Sequence, residues 1–212
     1  MIRVSFKGLA KFMTGNDRQR RKVLHDFKYP RDDESRAQAT YYREARNFIA
    51  VYHSAGHPNT WLLDRARSLA DNARVSSGQT KTRLNNNARA LREYEHHFST
   101  RNFIILSDLR FRLVFGNVEL SVIPDLHVQE GNKNKIIKLE FSKEEPDEEV
   151  VKLMSQILFE AAAQSGRNFT SSCVLYLDVP RGVEHRGARL GSKRAGEIAA
   201  ACQNIEALWP GI

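Results

Sequence analysis

"VELSVIPDLHVQEGNKNKIIKLEFSK", residues 118–143, decides the fold. Two runs rich in branched residues flank "EGNKN", a turn signal, so the stretch reads as two neighbouring strands. Strand side chains alternate faces. In the first run Val118, Leu120, Val122, Leu126 and Val128 form an apolar face, and Glu119, Ser121, Asp125 and His127 form the other. In the second run Ile137, Leu139 and Phe141 face one way, and Ile136, Lys138 and Glu140 the other. If the apolar faces share one core, Asp125, His127, Lys138 and Glu140 lie together on the side turned away from it. That polar face is either a solvated hairpin surface or a built site.

Working outward, the pattern after residue 101 stays strand-like. "NFIIL" and "LRFRLVF" are short, rich in branched and aromatic residues, and closed by a turn at Gly116-Asn117. Beyond Lys143, Pro146 and Asp147 open the helix "PDEEVVKLMSQILFEAAAQ", whose acidic first turn suits the helix dipole. "SSCVLYLDV" is a fully apolar run, the mark of a buried strand, and Ser192 is the expected cap of a last helix, "KRAGEIAAACQNIEAL".

Before residue 101 the period is helical. Ala37, Tyr41, Ala45, Phe48 and Tyr52 form one stripe, and "AGHP" ends it. Asn59 is the expected cap of a second helix, with Leu62, Ala66, Leu69 and Ala73 on one face. Leu84, Ala88, Leu91 and Phe98 mark a third, in "KTRLNNNARALREYEHHF". A short basic helix ending before Pro30 fits "DRQRRKVLHDFKYPRDDES". The expected organisation is a basic helical region over residues 1–78 and an α/β domain over 79–212. The fold class is α/β, a mixed sheet flanked by helices and preceded by a mostly helical N-terminal region.

Composition narrows the function classes. The chain has 212 residues and a net charge of +8. Residues 1–100 hold 19 Lys and Arg against 10 Asp and Glu, so the N-terminal half carries the excess. An acidic partner such as nucleic acid is the expectation for that half. "RQRRK" (Arg18, Arg20, Arg21, Lys22) and "HRGARLGSKR" (Arg186, Arg189, Lys193, Arg194) are the candidate phosphate contacts. No stretch approaches the ~20 apolar residues of a membrane span. The start lacks the pattern of a cleaved leader, and two cysteines in apolar runs, Cys173 and Cys202, fit a reducing cytoplasm. His53 and His57 straddle a helix end with no third ligand nearby, and no Walker loop or nucleophile elbow occurs.

Two carboxylates and a lysine on one sheet face suit a hard divalent cation. Mg²⁺ takes one or two carboxylates and fills its shell with waters and phosphate oxygens. Pro124-Asp125, the apolar strand running into "LEFSK", and the helix, strand and helix that follow resemble the PD-(D/E)xK nuclease superfamily over about residues 80–207. That resemblance implies Mg²⁺ or Mn²⁺ held by Asp125 and Glu140, with Glu93 or Glu95 of the leading helix as a further acidic residue. The family pattern places a lysine two positions after the acidic residue, and here that position is Ser142. Lys143 falls on the opposite face of a regular strand unless a bulge restores it, whereas Lys138 shares the face of Glu140. Cleavage of DNA phosphodiester bonds is the activity so implied. The alternative is a non-catalytic nucleic-acid-binding or assembly subunit that keeps only the fold, with a protein partner on the helical region or a homo-oligomer.

Overall fold

A computed structural model describes residues 1–29, 41–167 and 169–212, and the expected stripe position Ala37 lies outside them. The fold is α/β, with helices concentrated in the N-terminal region and strands in the C-terminal part. Strand β1 (Ile2–Ser5) leads directly into α1 (Phe6–Thr14), followed by α2 (Asp17–Lys28). Helices α3 (Arg43–Ala55), α4 (Asn59–Arg74) and α5 (Gly78–Phe98) come next. Then follow β2 (Ile104–Ile105), β3 (Phe111–Phe115), β4 (Val118–Val122), β5 (Leu126–Glu130) and β6 (Lys133–Glu140). Helix α6 (Glu148–Gln164), β7 (Val174–Asp178), β8 (Val183–Arg186) and α7 (Ser192–Leu208) complete the chain.

The run "VELSVIPDLHV" is two strands in two sheets rather than one. β4 belongs to a three-stranded sheet of order β1-β4-β3, and β5 to a five-stranded sheet of order β2-β5-β6-β7-β8. The break falls at Ile123-Pro124-Asp125, where proline has no N–H to give a ladder. β5 and β6 pair antiparallel around Gly131-Asn132, with Leu126 opposite Ile137. β6 and β7 pair in parallel across the α6 crossover, with Glu140 beside Asp178. Asp147 caps α6 through its side chain, accepting from the Glu149 N–H at 2.8 Å. The caps expected at Asn59 and Ser192 fall one residue earlier, on Pro58 and Gly191, and neither makes a side-chain cap bond.

The five-stranded sheet is covered on both faces. Leu126, Val128, Ile137, Leu139, Phe141, Leu175 and Leu177 pack against α3, α4 and α5. Leu62, Ala66, Leu69 and Ala73 are the buried stripe of α4, and Ala88, Leu91 and Phe98 are buried on α5. On the opposite face Ile136, Val174 and Tyr176 join α1, α6, α7 and the three-stranded sheet in a second core. The face of Lys138 and Glu140 therefore does not look into solvent, and the solvated-hairpin expectation fails. Asn87 shows how the helices are locked. Fully buried on α5, it accepts the Ala45 N–H at 2.9 Å and donates to the Tyr41 carbonyl at 2.6 Å, closing the first turn of α3 from outside.

The N-terminus crosses the expected boundary at residue 78. β1 pairs in parallel with β4, Ile2 beside Val118 and Ser5 beside Ser121. Phe6, Leu9, Ala10 and Phe12 of α1 are buried in the core that α6 and α7 share. The first residues thus belong physically with the C-terminal sheets.

β7 lies between β6 and β8 and every one of its five residues is buried. Leu175→Asp places an unpaired charge against α3 to α5. We expect it to cost several kcal/mol and to prevent soluble folding, read as loss of the cooperative melt.

Candidate functional site

Asp125, Lys138 and Glu140 of the opening stretch lie at one end of the five-stranded sheet, where β6 and β7 finish and β5 begins. Ligand sites of open α/β sheets lie beyond the carboxyl ends of such parallel strands. The β5–β6 register carries Asp125 opposite Lys138, and the Asp125 N–H donates to the Ile137 carbonyl at 2.8 Å.

Asp125 has a side chain only 4% exposed. Its Oδ2 accepts the Leu139 N–H at 2.8 Å and lies 2.9 Å from Lys138 Nζ, while Oδ1 accepts from Arg46 of α3 at 2.9 Å. Burial works to raise its pKa, but the charges of Lys138 and Arg46, with the Leu139 amide, outweigh it and hold the carboxyl below the usual range. Lys138 Nζ also stands 5.7 Å from the centre of the Phe6 ring, so the start of α1 roofs this side of the site.

Glu140 is built the same way. Its Oε1 accepts the N–H groups of Phe141 and Ser142 at 3.2 and 3.1 Å. Its Oε2 accepts from Lys7 of α1 at 2.6 Å and from the Tyr176 hydroxyl at 3.1 Å. Burial again pushes upward, and Lys7, the Ser142 amide and the Tyr176 hydroxyl hold the carboxyl below the usual range. Tyr176 itself is pushed well above an ordinary phenol, first by burial and then by the fields of Glu140, Asp178 and Asp125, so its proton stays in place to donate.

Each carboxylate thus has one oxygen touching main-chain amides and the other facing the head of a basic side chain. Lys7 is 42% exposed and Arg46 28% exposed, and Arg46 also donates to the Tyr42 carbonyl at 3.4 Å. Mg²⁺ or Mn²⁺ takes hard oxygens of this kind, but here every oxygen of the two carboxylates already has a protein partner, so a cation would have to displace Lys7, Lys138 or Arg46 to bind. Among the described residues no three His, Cys, Asp or Glu side chains form a metal-binding group.

The remaining residues singled out in the sequence are placed as follows. Glu93 is gripped by Arg89, whose Nη1 lies 2.8 Å from each of its oxygens and whose Nη2 donates to the Phe141 carbonyl. Lys143 is exposed past the end of β6, and its carbonyl accepts from Arg181 at 2.7 Å. His127 is buried with Nδ1 2.8 Å from the Ser107 carbonyl, apart from the carboxylates. His53 packs in the helical core, 2.8 Å from the Tyr94 hydroxyl. Burial, followed by Arg101, lowers its pKa to about 4, so it is a neutral core residue. Of the two basic runs, Arg20 bonds the Phe12 carbonyl, Lys22 pairs with Asp26, Arg186 with Glu184, and Arg194 with Glu149 and Glu197. Arg18, Arg21, Arg189 and Lys193 are exposed. One residue of each run, Arg20 and Arg194, lines a groove of about 370 Å³ over Phe12, Met13 and Leu153, together with Glu149 and Glu197, which pair with Arg194.

Four residues of the site carry no signal that the sequence reading used. Lys7 and Arg46 come from helices far away in the chain, and nothing in their local pattern marks them. Tyr176 and Asp178 had a visible signal. β7 ends in an acidic residue just as β6 does, and Asp178, 2% exposed, is held through both oxygens by Arg181 at 3.0 Å.

Removing one partner of a buried ion pair leaves the other uncompensated. Asp125→Ala should therefore cost about 3 kcal/mol at pH 7. Because the folded-state pKa of Asp125 and Glu140 lies below the unfolded value near ~4, their stabilisation is present above that pH and is lost as pH falls through the folded value. Melting curves between pH 6 and 2 should show a shallower acid loss in Asp125→Ala than in the wild type. No protein-family model matches this chain and no curated protein matches it, so the site is read from its own geometry.

Proposed function

We propose that this chain is a divalent-metal-dependent phosphodiester hydrolase acting on DNA, with Asp125 and Glu140 as the ligands of Mg²⁺ or Mn²⁺. One observation carries the reading. Two buried carboxylates at the end of a parallel strand pair each have one oxygen on main-chain amides and the other on a basic side chain, Arg46 or Lys7. Burying three carboxylates at one sheet end is costly, and buried carboxylates perturbed like Asp125 and Glu140 cluster at functional sites. Bound there, the metal supplies an activated water and offsets charge on the phosphate.

The chain's own groups do the rest. Asp125 and Glu140 present Oδ1 and Oε2 while the amides of Leu139, Phe141 and Ser142 hold their other oxygens. Lys138, positioned by Asp125 Oδ2, offers N–H donors to a non-bridging phosphate oxygen. Phe6 and Tyr176 exclude water from the inner side. Exposed Arg18, Arg21 and Lys193 would bind the flanking backbone. No helix among the described residues is long and apolar enough to cross a membrane. The free, buried thiols Cys173 and Cys202 accord with a cytoplasmic setting.

A second reading has its own support, because all four carboxylate oxygens already have protein partners. There Lys7, Arg46 and Lys138 are permanent clamps, and the protein is a non-catalytic DNA-binding or assembly subunit, acting through a protein partner or as a homo-oligomer. Glu140→Gln separates the two. On the hydrolase reading Mn²⁺ raises the melting temperature of the wild type through binding to the folded state, and the variant loses both that gain and any cleavage of duplex or single-stranded DNA. A wild type unmoved by Mn²⁺ and inert towards DNA leaves the binding subunit.

DNA affinity has a separate test. Replacing Arg18 and Arg21 with Ala should flatten the salt dependence of binding by roughly one unit of slope per lost phosphate contact. An unaltered slope would assign both arginines to solvent.

A further inference from the structure

The three-stranded sheet buries one face and leaves the other open, and the open face is basic. Along β3, Phe111 and Leu113 are buried while Arg112 and Val114 are exposed, and Leu109 and Arg110 continue the alternation before the strand. On β4, Val118, Leu120 and Val122 belong to the core, which leaves Glu119 and Ser121 on the side of Arg112. The register assembles the rest. Arg3 of β1 stands beside Glu119, and Ser5 stands beside Ser121, which faces Arg112 across the other ladder. Three arginines thus share the face with one carboxylate. Arg3 and Arg112, with side chains 76% and 72% exposed, flank Glu119 at 3.3 and 3.9 Å, and pairs this exposed hold neither arginine tightly. Arg110 forms no ion pair among the described residues.

We infer that this open sheet face is a docking surface for the DNA backbone, with Arg3, Arg110 and Arg112 as its phosphate contacts. The inference rests on the DNA-binding part of the reading above, which the hydrolase and the binding subunit share, and it needs no metal. Charge complementarity names the occupant. Duplex DNA carries a charge every ~1.7 Å of its axis, so each arginine meets a phosphate whatever the register, and the guanidinium fork fits phosphate oxygens. The middle of the face is low, because Ser5 and Ser121 are the residues in register with Arg112. Their hydroxyls add donors. Ser5 Oγ accepts the Gly8 N–H at 3.0 Å and keeps its own proton to give. Position supports the same occupant. β1 and β4 run parallel, so Ser5 and Val122 finish at one edge, two residues before Lys7 and three before Asp125. The arginine face therefore runs towards the charged end of the five-stranded sheet. These arginines escape a search for basic runs, because they alternate singly with apolar residues in "IRVS" and "LRFRLVF". Only the pairing of β1 with β4 brings them together.

The test is equilibrium binding of the full chain to a random-sequence DNA duplex over a range of salt. Replacing Arg3, Arg110 and Arg112 together with Ala should weaken binding about tenfold or more at roughly 0.1 M salt and flatten the salt dependence by about 0.9 unit of slope per arginine. Arg110→Ala alone, which breaks no ion pair, should take its single share even if the triple variant folds poorly. Glu119→Gln removes the carboxylate of the face and should tighten binding about two- to threefold. Arg67→Ala with Arg74→Ala removes exposed, aspartate-paired arginines of α4 and should leave the slope as it is. A wild type that binds DNA, with the same slope in Arg110→Ala and in the triple variant, overturns the inference and leaves the DNA-binding reading intact. The face then belongs to solvent or to an acidic protein. An equal flattening per arginine in the α4 variant also overturns it, since overall charge would then account for the effect. A wild type that binds no DNA overturns the DNA-binding reading, and the docking surface falls with it.

Discussion

The structure depends on the compensation of two carboxylates buried at one end of its central sheet. An ionised carboxylate can leave water only if cations and N–H donors replace the lost hydration. Asp125 takes its replacements from β6 and α3, and Glu140 from α1, β7 and the chain after β6. Two side chains therefore tie together elements from both cores and from both ends of the sequence. Neither core alone could specify how α1 and α3 approach the sheet, because apolar packing is tolerant of small shifts. Charge-assisted bonds near 2.6–2.9 Å are not.

The same arrangement gathers charge of both signs at one end of the sheet. Around Asp125, Glu140, Asp178 and Glu93 stand Lys7, Arg46, Arg89, Lys138 and Arg181. Each of these cations is paired with one of the carboxylates, so the cluster is close to charge-balanced, with one cation in excess. The cations differ in exposure. Lys138 and Arg89 are mostly buried, and Lys7 is half in solvent. The site thus combines buried donors with a more exposed one, and its N-terminal contribution ties the opening strand and helix to the sheet end.

A good part of this was legible in the sequence. Apolar spacing at the helical period placed the buried stripe of α4 residue by residue, and the period-two alternation placed Lys138 and Glu140 on one face. Asp125 joined them because the turn at Gly131-Asn132 fixes the register, and a shift of one residue would expose the apolar face of Leu126 and Val128. Pro124 was a visible break, yet its consequence, a change of sheet, was not. A proline says that a ladder stops without saying where the chain goes next.

What the sequence determined by itself were the local periodicities: which residues are helical, which alternate, and which side chains share a face, since these follow from backbone geometry within a few residues. The tertiary structure decided everything that depends on long closure. It folded β1 onto β4, covered the polar face that alternation alone would leave in water, and brought Lys7 and Arg46 to the carboxylates. The physical reason is one of range. Periodicity is set by bonds between neighbours, whereas a buried charge accepts compensation from any part of the chain the fold can bring within about 3 Å.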